Sequence, residues 1–150
     1  MSPERLKMTN EKLNVYAWIG AIVVVLLAGC SSTQKVDYNT VRDILSVESA
    51  SLAQDVLQIS DMAKLEGKQQ QISFQVSTAL MAVSEALDNT TGDTDVDMAL
   101  SLVTESLKSA QEMDWATYVK DEDTRLKIKV FLYAAQSIVS RIKRYKGKFK

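Results

Sequence analysis

The amino-acid sequence predicts an all-α protein, an up-down four-helix bundle over residues 38–146 that follows a cleaved amino-terminal segment. Three observations favour helices over strands. Pro3 is the only proline, so no proline interrupts a helix further along the chain. Only three of the five glycines lie beyond residue 29. Apolar side chains in the predicted domain recur at spacings of three, four and seven residues, which is the period of an amphipathic helix.

The first thirty residues have the pattern of a secretory signal peptide. Arg5, Lys7 and Lys12 give a basic start, and residues 15–29 then run without a charge. Fifteen residues make about 22 Å of helix, which is short for the roughly 30 Å hydrocarbon core of a bilayer. A basic start, a short apolar run and small residues at its end are typical of a cleaved signal. Translation from the second methionine, Met8, is an alternative to translation from the first.

The apolar run ends in Leu27-Ala28-Gly29-Cys30, which contains the only cysteine of the chain. This segment resembles the lipobox of bacterial lipoproteins at all four positions. The resemblance implies that the thiol of Cys30 receives a diacylglyceryl thioether, that the chain is cleaved between Gly29 and Cys30, and that the new amino terminus is acylated. It implies no other cofactor. Attachment to a membrane follows from the resemblance, because two acyl chains suffice for stable anchoring.

The residue after the implied cleavage site bears on location. It is Ser31, and by resemblance to enterobacterial lipoproteins a residue other than Asp here favours the periplasmic face of the outer membrane, with the inner membrane as the alternative. Residues 31–36 span at most about 21 Å when extended, which keeps the domain close to its membrane. The predicted organisation is a signal peptide at 1–29, a lipidated terminus and tether at 30–37, a helical domain at 38–146 and a basic tail at 147–150.

The apolar periodicity divides the domain into four helices, predicted at 38–65, 69–88, 94–114 and 122–146. Gly67 and Gly92 fall where the periodicity breaks. The most regular stripe belongs to the last helix and consists of Ile128, Phe131, Ala135, Ile138, Ile142 and Tyr145. Short connections favour antiparallel neighbours and therefore an up-down bundle. The alternative is two helical hairpins that pair with a partner chain.

Polar residues mark the predicted starts of the later helices. Asp93 or Thr94 is expected to cap the third helix, and the Asp121–Thr124 segment opens the fourth as a solvated first turn. Trp115 and Tyr118 are expected to close one end of the bundle, with contact to a partner as the alternative. Four methionines are expected to fill gaps between helices, namely Met62, Met81, Met98 and Met113.

Composition excludes most catalytic and metal chemistry. The chain has no histidine and one cysteine, which excludes Ser-His-Asp and Cys-His catalysis, histidine metal sites and an internal disulfide. Asp93, Asp95 and Asp97 imitate the start of a calcium loop, but Met98 and Thr104 replace its required Gly and Glu. We therefore expect a protein that is not an enzyme and that has no metal site.

The carboxyl-terminal stretch is unusually basic. Nine of the Lys and Arg residues follow Asp123, and no acidic residue does. The candidate contact residues are Arg141, Lys143, Arg144, Lys146, Lys148 and Lys150. A basic amphipathic helix of this kind favours contact with anionic lipid headgroups, an anionic glycan or an acidic partner. The alternative is that the charges complement the helix dipole and end in a solvated tail. No nucleic-acid partner is expected for a translocated chain with a net charge of −1.

These features together predict a non-enzymatic, membrane-anchored lipoprotein that faces the periplasm and holds or pilots an envelope assembly through helical protein–protein contacts. Its general architecture is similar to that of the pilotins of secretion systems. One alternative is a phage-encoded lysis or exclusion lipoprotein, such as an outer spanin subunit. The other is a small helical lipoprotein that binds a lipid or another small ligand.

Overall fold

The computed structural model describes residues 35–89 and 93–149 of the 150-residue chain. Within these ranges it contains helices and no strand. The helices are α1 (Tyr38–Met62), α2 (Gly67–Asp88), α3 (Asp93–Gln111), α4 (Trp115–Tyr118) and α5 (Glu122–Tyr145), and a 3-10 turn, Lys146–Lys148, follows α5. The predicted signal peptide, its cleavage site and Cys30 lie outside the described residues.

The four long helices form an up-down bundle. Helix α1 packs on α2 and α5, and α3 packs on the same two helices, so each long helix has two main neighbours. Hydrogen bonds join Ser46 to Ser84 and Ser77 to Ala53, which shows that α1 and α2 run antiparallel. The prediction of an all-α four-helix bundle is confirmed. The hairpin of α1 and α2 packs against the hairpin of α3 and α5 within one chain. In the alternative, each hairpin would have paired with a partner chain.

The core consists of the apolar stripes that the sequence predicts. Leu45, Leu80, Leu87 and Ile142 are fully buried at its centre. In α5 the buried apolar positions recur every three or four residues, because that spacing returns to the same face of a helix. Burial of each large aliphatic side chain contributes about 1.5–3 kcal/mol, which makes this core the main source of stability.

The helix ends differ from the predicted ones at the first connection and at the end of α3, which stops at Gln111, three residues before the predicted end at 114. Helix α1 ends at Met62, three residues before the predicted end, because Lys64 adopts a left-handed conformation with φ of 51°. Leu65 then turns back into the core, and its N–H donates to the carbonyl of Ser60 at 3.0 Å. Helix α2 begins at Gly67, two residues earlier than predicted, and the φ of 59° there suits a residue without a side chain.

Aspartates cap two of the long helices. The carboxylate of Asp37 accepts hydrogen bonds from the N–H of Asn39 at 3.0 Å and the hydroxyl of Thr40 at 2.8 Å. Asp121 accepts from the N–H of Thr124 at 2.8 Å and also from its hydroxyl. These bonds satisfy amides that have no partner within the helix. The predicted start of the last helix is therefore confirmed. Helix α3 begins at Asp93, and the residue before it is not among those described.

Helices α1 and α2 approach each other through buried serines. The hydroxyl of Ser46 lies 2.7 Å from the carboxylate of Asp88, 3.0 Å from the hydroxyl of Ser84 and 3.1 Å from the carbonyl of Ser84. Further along, the hydroxyl of Ser77 donates to the carbonyl of Ala53 at 2.8 Å. Small side chains let the two backbones come close, and the hydrogen bonds fix the register of the pair.

The prediction that methionines fill gaps between helices is wrong for three of the four. Met62 and Met98 are 63% and 62% exposed, and Met81 is also exposed. They lie outside the buried stripe of their helices, where leucine, valine, isoleucine and small residues already complete the contacts. Met113 is half-buried beside α4.

Candidate functional site

The beginning of α1 and the end of α5 meet at one end of the bundle, which we call the tether end. The rings of Tyr38 and Tyr145 are in tilted contact, with centroids 5.9 Å apart. The ammonium of Lys148 lies 5.0 Å from the centre of the Tyr38 ring and donates to its hydroxyl at 3.3 Å. Lys146 forms an ion pair with Asp97 in the second turn of α3. The opposite end, with residues 63–66 and 112–121, is the far end.

Three of the six candidate basic residues have partners within the bundle. Arg141 donates to Glu48 on α1 at 2.6 Å, and Lys146 and Lys148 make the contacts just described. Lys143 and Arg144 are exposed, and neither makes a hydrogen bond or ion pair within the described part of the chain. The sixth, Lys150, lies outside the described residues. The structure thus divides one basic stretch into cations that contact other parts of the bundle and cations without a partner in the described residues.

The apolar face of this basic helix is already occupied. Ile138 and Ile142 are buried in the bundle, and Tyr145 and Phe149 are half-buried. A helix that inserts into a membrane interface buries its apolar face among the lipids. Here that face packs against the other helices, so only the polar side of the end of α5 faces outward.

A row of apolar side chains follows the outer surface between α1 and α2. We call it the α1–α2 strip, and it consists of Val47, Ala50, Leu57, Phe74 and Met81. Val47 and Phe74 are 66% and 55% exposed, Met81 is exposed, and the other two are half-buried. The serine hydrogen bonds set the register, which puts Ala50 level with Met81 and Leu57 level with Phe74. Periodicity along the sequence does not reveal this strip, because only the register between two helices brings its members together.

Trp115 closes the far end of the bundle, as expected. Its indole N–H donates to the carbonyl of Ala110 at 2.7 Å, and its ring lines an apolar cavity of about 20 Å³ with Ile72 and Phe131. A cavity of this size holds roughly one water molecule, so it gives no support to the alternative that the bundle carries a lipid. Tyr118, from the same short helix, is 56% exposed, so the expectation that it also closes the bundle is wrong.

A surface cleft of about 510 Å³ lies beside Trp115 at the far end. Glu122, Arg125 and Lys129 line it from α5, and Asp114 lines it from the preceding segment. The Nε of Arg125 is buried and has no hydrogen-bond partner in the described structure. This cleft was not among the sites predicted from the sequence. Its sequence signal is two cations four residues apart, which share one face of a helix.

Two of the acidic residues singled out in the sequence have structural roles. Asp97 pairs with Lys146, and Asp121 caps α5. The hydrogen bond from the Thr124 hydroxyl lowers the pKa of Asp121, and Thr117 lowers the pKa of Asp114 in the same way. Partial burial raises the pKa of Asp55. In the part of the chain that the structure describes, no group of three or more Cys, His, Asp or Glu side chains is placed to hold a metal ion.

None of the helices within 35–89 and 93–149 combines the length and the apolar character that a membrane span requires. Comparison of the chain with protein-family models, with curated proteins and with solved structures found no match. The motifs of the sequence and the surface of the bundle are therefore the two indications of function.

Proposed function

We propose that this chain is a lipoprotein anchored to the periplasmic face of the outer membrane through Cys30, and that it holds or pilots an envelope assembly by protein–protein contact. The lipobox-like segment supports the anchor. The α1–α2 strip supports the contact, because it leaves apolar side chains in water although the core is complete without them. No catalytic role is proposed.

The α1–α2 strip is the observation that carries the contact. Single exposed apolar residues are common on protein surfaces and need no explanation. Here Phe74 and Met81 lie two turns apart on one face of α2, and Leu57 and Ala50 lie level with them on α1. Aromatic and methionine side chains are enriched at the centres of protein interfaces, where their burial excludes water. A helix laid along this groove would cover all of them.

The anchor is tested by substitution of the predicted lipidated residue. Cys30→Ala is expected to abolish incorporation of a labelled fatty acid and to prevent cleavage after Gly29, because no thiol remains to form the thioether. Ser31→Ala, next to it, is the matched control and should still be labelled. The measurement is intact mass together with fatty-acid labelling of the membrane fraction. Equal labelling of the two variants would contradict the proposed anchor.

The contact is tested by site-specific photo-crosslinking in intact cells. A photoreactive amino acid at position 81 is expected to join the chain to one envelope protein, because Met81 lies in the strip. The same amino acid at position 102, which is an exposed leucine on α3, is the matched control. Phe74→Glu should suppress the crosslink from position 81 without a change in helix content. The same crosslink from both positions, or none from either, would count against the strip as the contact surface.

A further inference from the structure

We infer that the tether end of the bundle lies on the bilayer, where Lys143 and Arg144 contact the headgroups of anionic phospholipids and orient the protein. This inference rests on the proposed lipid anchor. It goes beyond that anchor, because a lipid at Cys30 attaches the chain to the membrane without determining which end of the bundle faces it.

The start of α1, where the chain enters the bundle, lies beside the basic end of α5. The chain enters the bundle at Asp37, the residue that caps α1. Tyr38, the next residue, contacts Tyr145 in the last turn of α5. Because residues 31–36 span at most about 21 Å, a lipid on Cys30 would keep the start of α1 near the membrane, and the end of α5 lies beside that start.

Two cations in the last turn of α5 have no partner in the described structure. Lys143 and Arg144 belong to the last turn of α5, the same turn as Tyr145, which contacts the start of α1. Arg141 and Lys146 are paired with carboxylates, and the ammonium of Lys148 contacts the ring and hydroxyl of Tyr38, so Lys143 and Arg144 are the two cations here without a partner in the described structure. Lysine and arginine reach several ångströms from the helix on apolar stems, which lets the charged groups contact a surface that the backbone does not touch.

Several carboxylates also lie at the tether end. Asp43 pairs with Arg42, Asp97 pairs with Lys146, and Asp37 accepts the capping bonds of α1. Asp88, the last residue of α2, accepts from Ser46, and Glu85 on α2 and Asp95 on α3 are exposed. No acidic residue follows Asp123 in the sequence, so α5 itself carries no negative charge close to the two free cations.

The expected strength follows from the number of free cations. Each lysine or arginine near an anionic bilayer contributes about 1 kcal/mol, and two of them correspond to a shift of about 30-fold in the ratio of docked to undocked bundles. The attraction decays within a Debye length of about 10 Å at 0.1 M salt, so high salt should reverse it. The short tether favours docking further, because it keeps the cations close to the surface.

The experiment uses the full lipidated protein with one added cysteine. Gly147→Cys provides the labelling site, since a side chain there meets no atom within 4 Å and the native thiol is consumed by the anchor. A fluorophore on this cysteine is expected to be quenched by a headgroup-attached quencher in vesicles that contain phosphatidylglycerol, and much less in vesicles of phosphatidylcholine alone. A fluorophore at Ala116→Cys, at the far end, should be quenched weakly in both.

Charge reversals separate this contact from the anchor. Lys143→Glu combined with Arg144→Glu should abolish the extra quenching at position 147. Lys68→Glu combined with Lys129→Glu makes the same change in charge at the far end and should leave that quenching unchanged.

Flotation with the vesicles separates the outcomes. If the protein floats with the vesicles but its quenching changes neither with phosphatidylglycerol nor with either pair of charge reversals, the orientation is overturned and the anchor stands. If the protein does not float with the vesicles, the anchor and the orientation are both overturned. If only an added acidic protein changes the signal, the cations serve a protein partner and the lipid contact is overturned.

Discussion

Two buried serines on α1 illustrate how one residue type can have two different energetic roles. Ser46 reaches across to α2, where it contacts both the hydroxyl and the carbonyl of Ser84 and the carboxylate of Asp88. Ser49, one turn later, donates to the carbonyl of Leu45 in its own helix at 2.7 Å. That carbonyl already accepts the backbone N–H of the helix, so the second bond adds little. Only the first serine joins two helices.

We predict that Ser46→Ala lowers the free energy of unfolding by about 1–2 kcal/mol, because it leaves the buried hydroxyl of Ser84 without its partner. Ser49→Ala is the matched control, and it should change the free energy by less than about 0.5 kcal/mol. Urea denaturation followed by circular dichroism measures both. Equal effects of the two substitutions would show that the cross-helix bonds contribute nothing to the pairing of α1 with α2.

At the scale of the helices, α1 and α5 are joined by a shielded ion pair. Glu48 and Arg141 meet at 2.6 Å, and their side chains are only 17% and 21% exposed. The pair between Lys108 and Glu112 on α3 differs in both respects, because its atoms are 4.0 Å apart and its side chains are 75% and 68% exposed. Water and salt screen the second pair far more than the first.

We predict that Glu48→Gln lowers the free energy of unfolding by about 1–3 kcal/mol, because a largely desolvated guanidinium loses its counter-charge. Lys108→Ala should cost about 0.5 kcal/mol or less. Arg141→Lys should preserve part of the effect, since the Nε of Arg141 has no partner and one ammonium can still reach Glu48. Denaturation at low and high salt distinguishes the pairs. A loss from Glu48→Gln no larger than that from Lys108→Ala would refute the role assigned to this pair.

The helices themselves were predictable, because apolar spacing reports directly on burial. Helix α5 begins at Glu122 and ends at Tyr145, within one residue of the predicted range. The end of α1 was not predictable, since the left-handed turn at Lys64 occurs at a residue with no preference for it. The short helix α4 was predicted only as a connection. Its aromatic residue Trp115 was nevertheless expected to close the bundle, and it does.

At the scale of the whole molecule, the sequence could not show which distant residues meet. The basic stretch was visible as composition, but its division into engaged and free cations depends on Glu48 and Asp97, which lie 93 and 49 residues from their partners. The α1–α2 strip likewise depends on the register of two helices. The exposure of three methionines was also predicted wrongly. Periodicity identifies which face of a helix is buried, but it does not show how wide that face is.

The contact between Tyr38 and Tyr145 also has a consequence for the order of the chain. The first and last long helices of the bundle are neighbours in space, so a short loop could join α5 directly to α1. A rearranged gene that starts at Gly67 and finishes at Met62 would then encode the same ring of helices with a different beginning and end. The packing of the helices, and not their sequence of synthesis, is what defines this architecture.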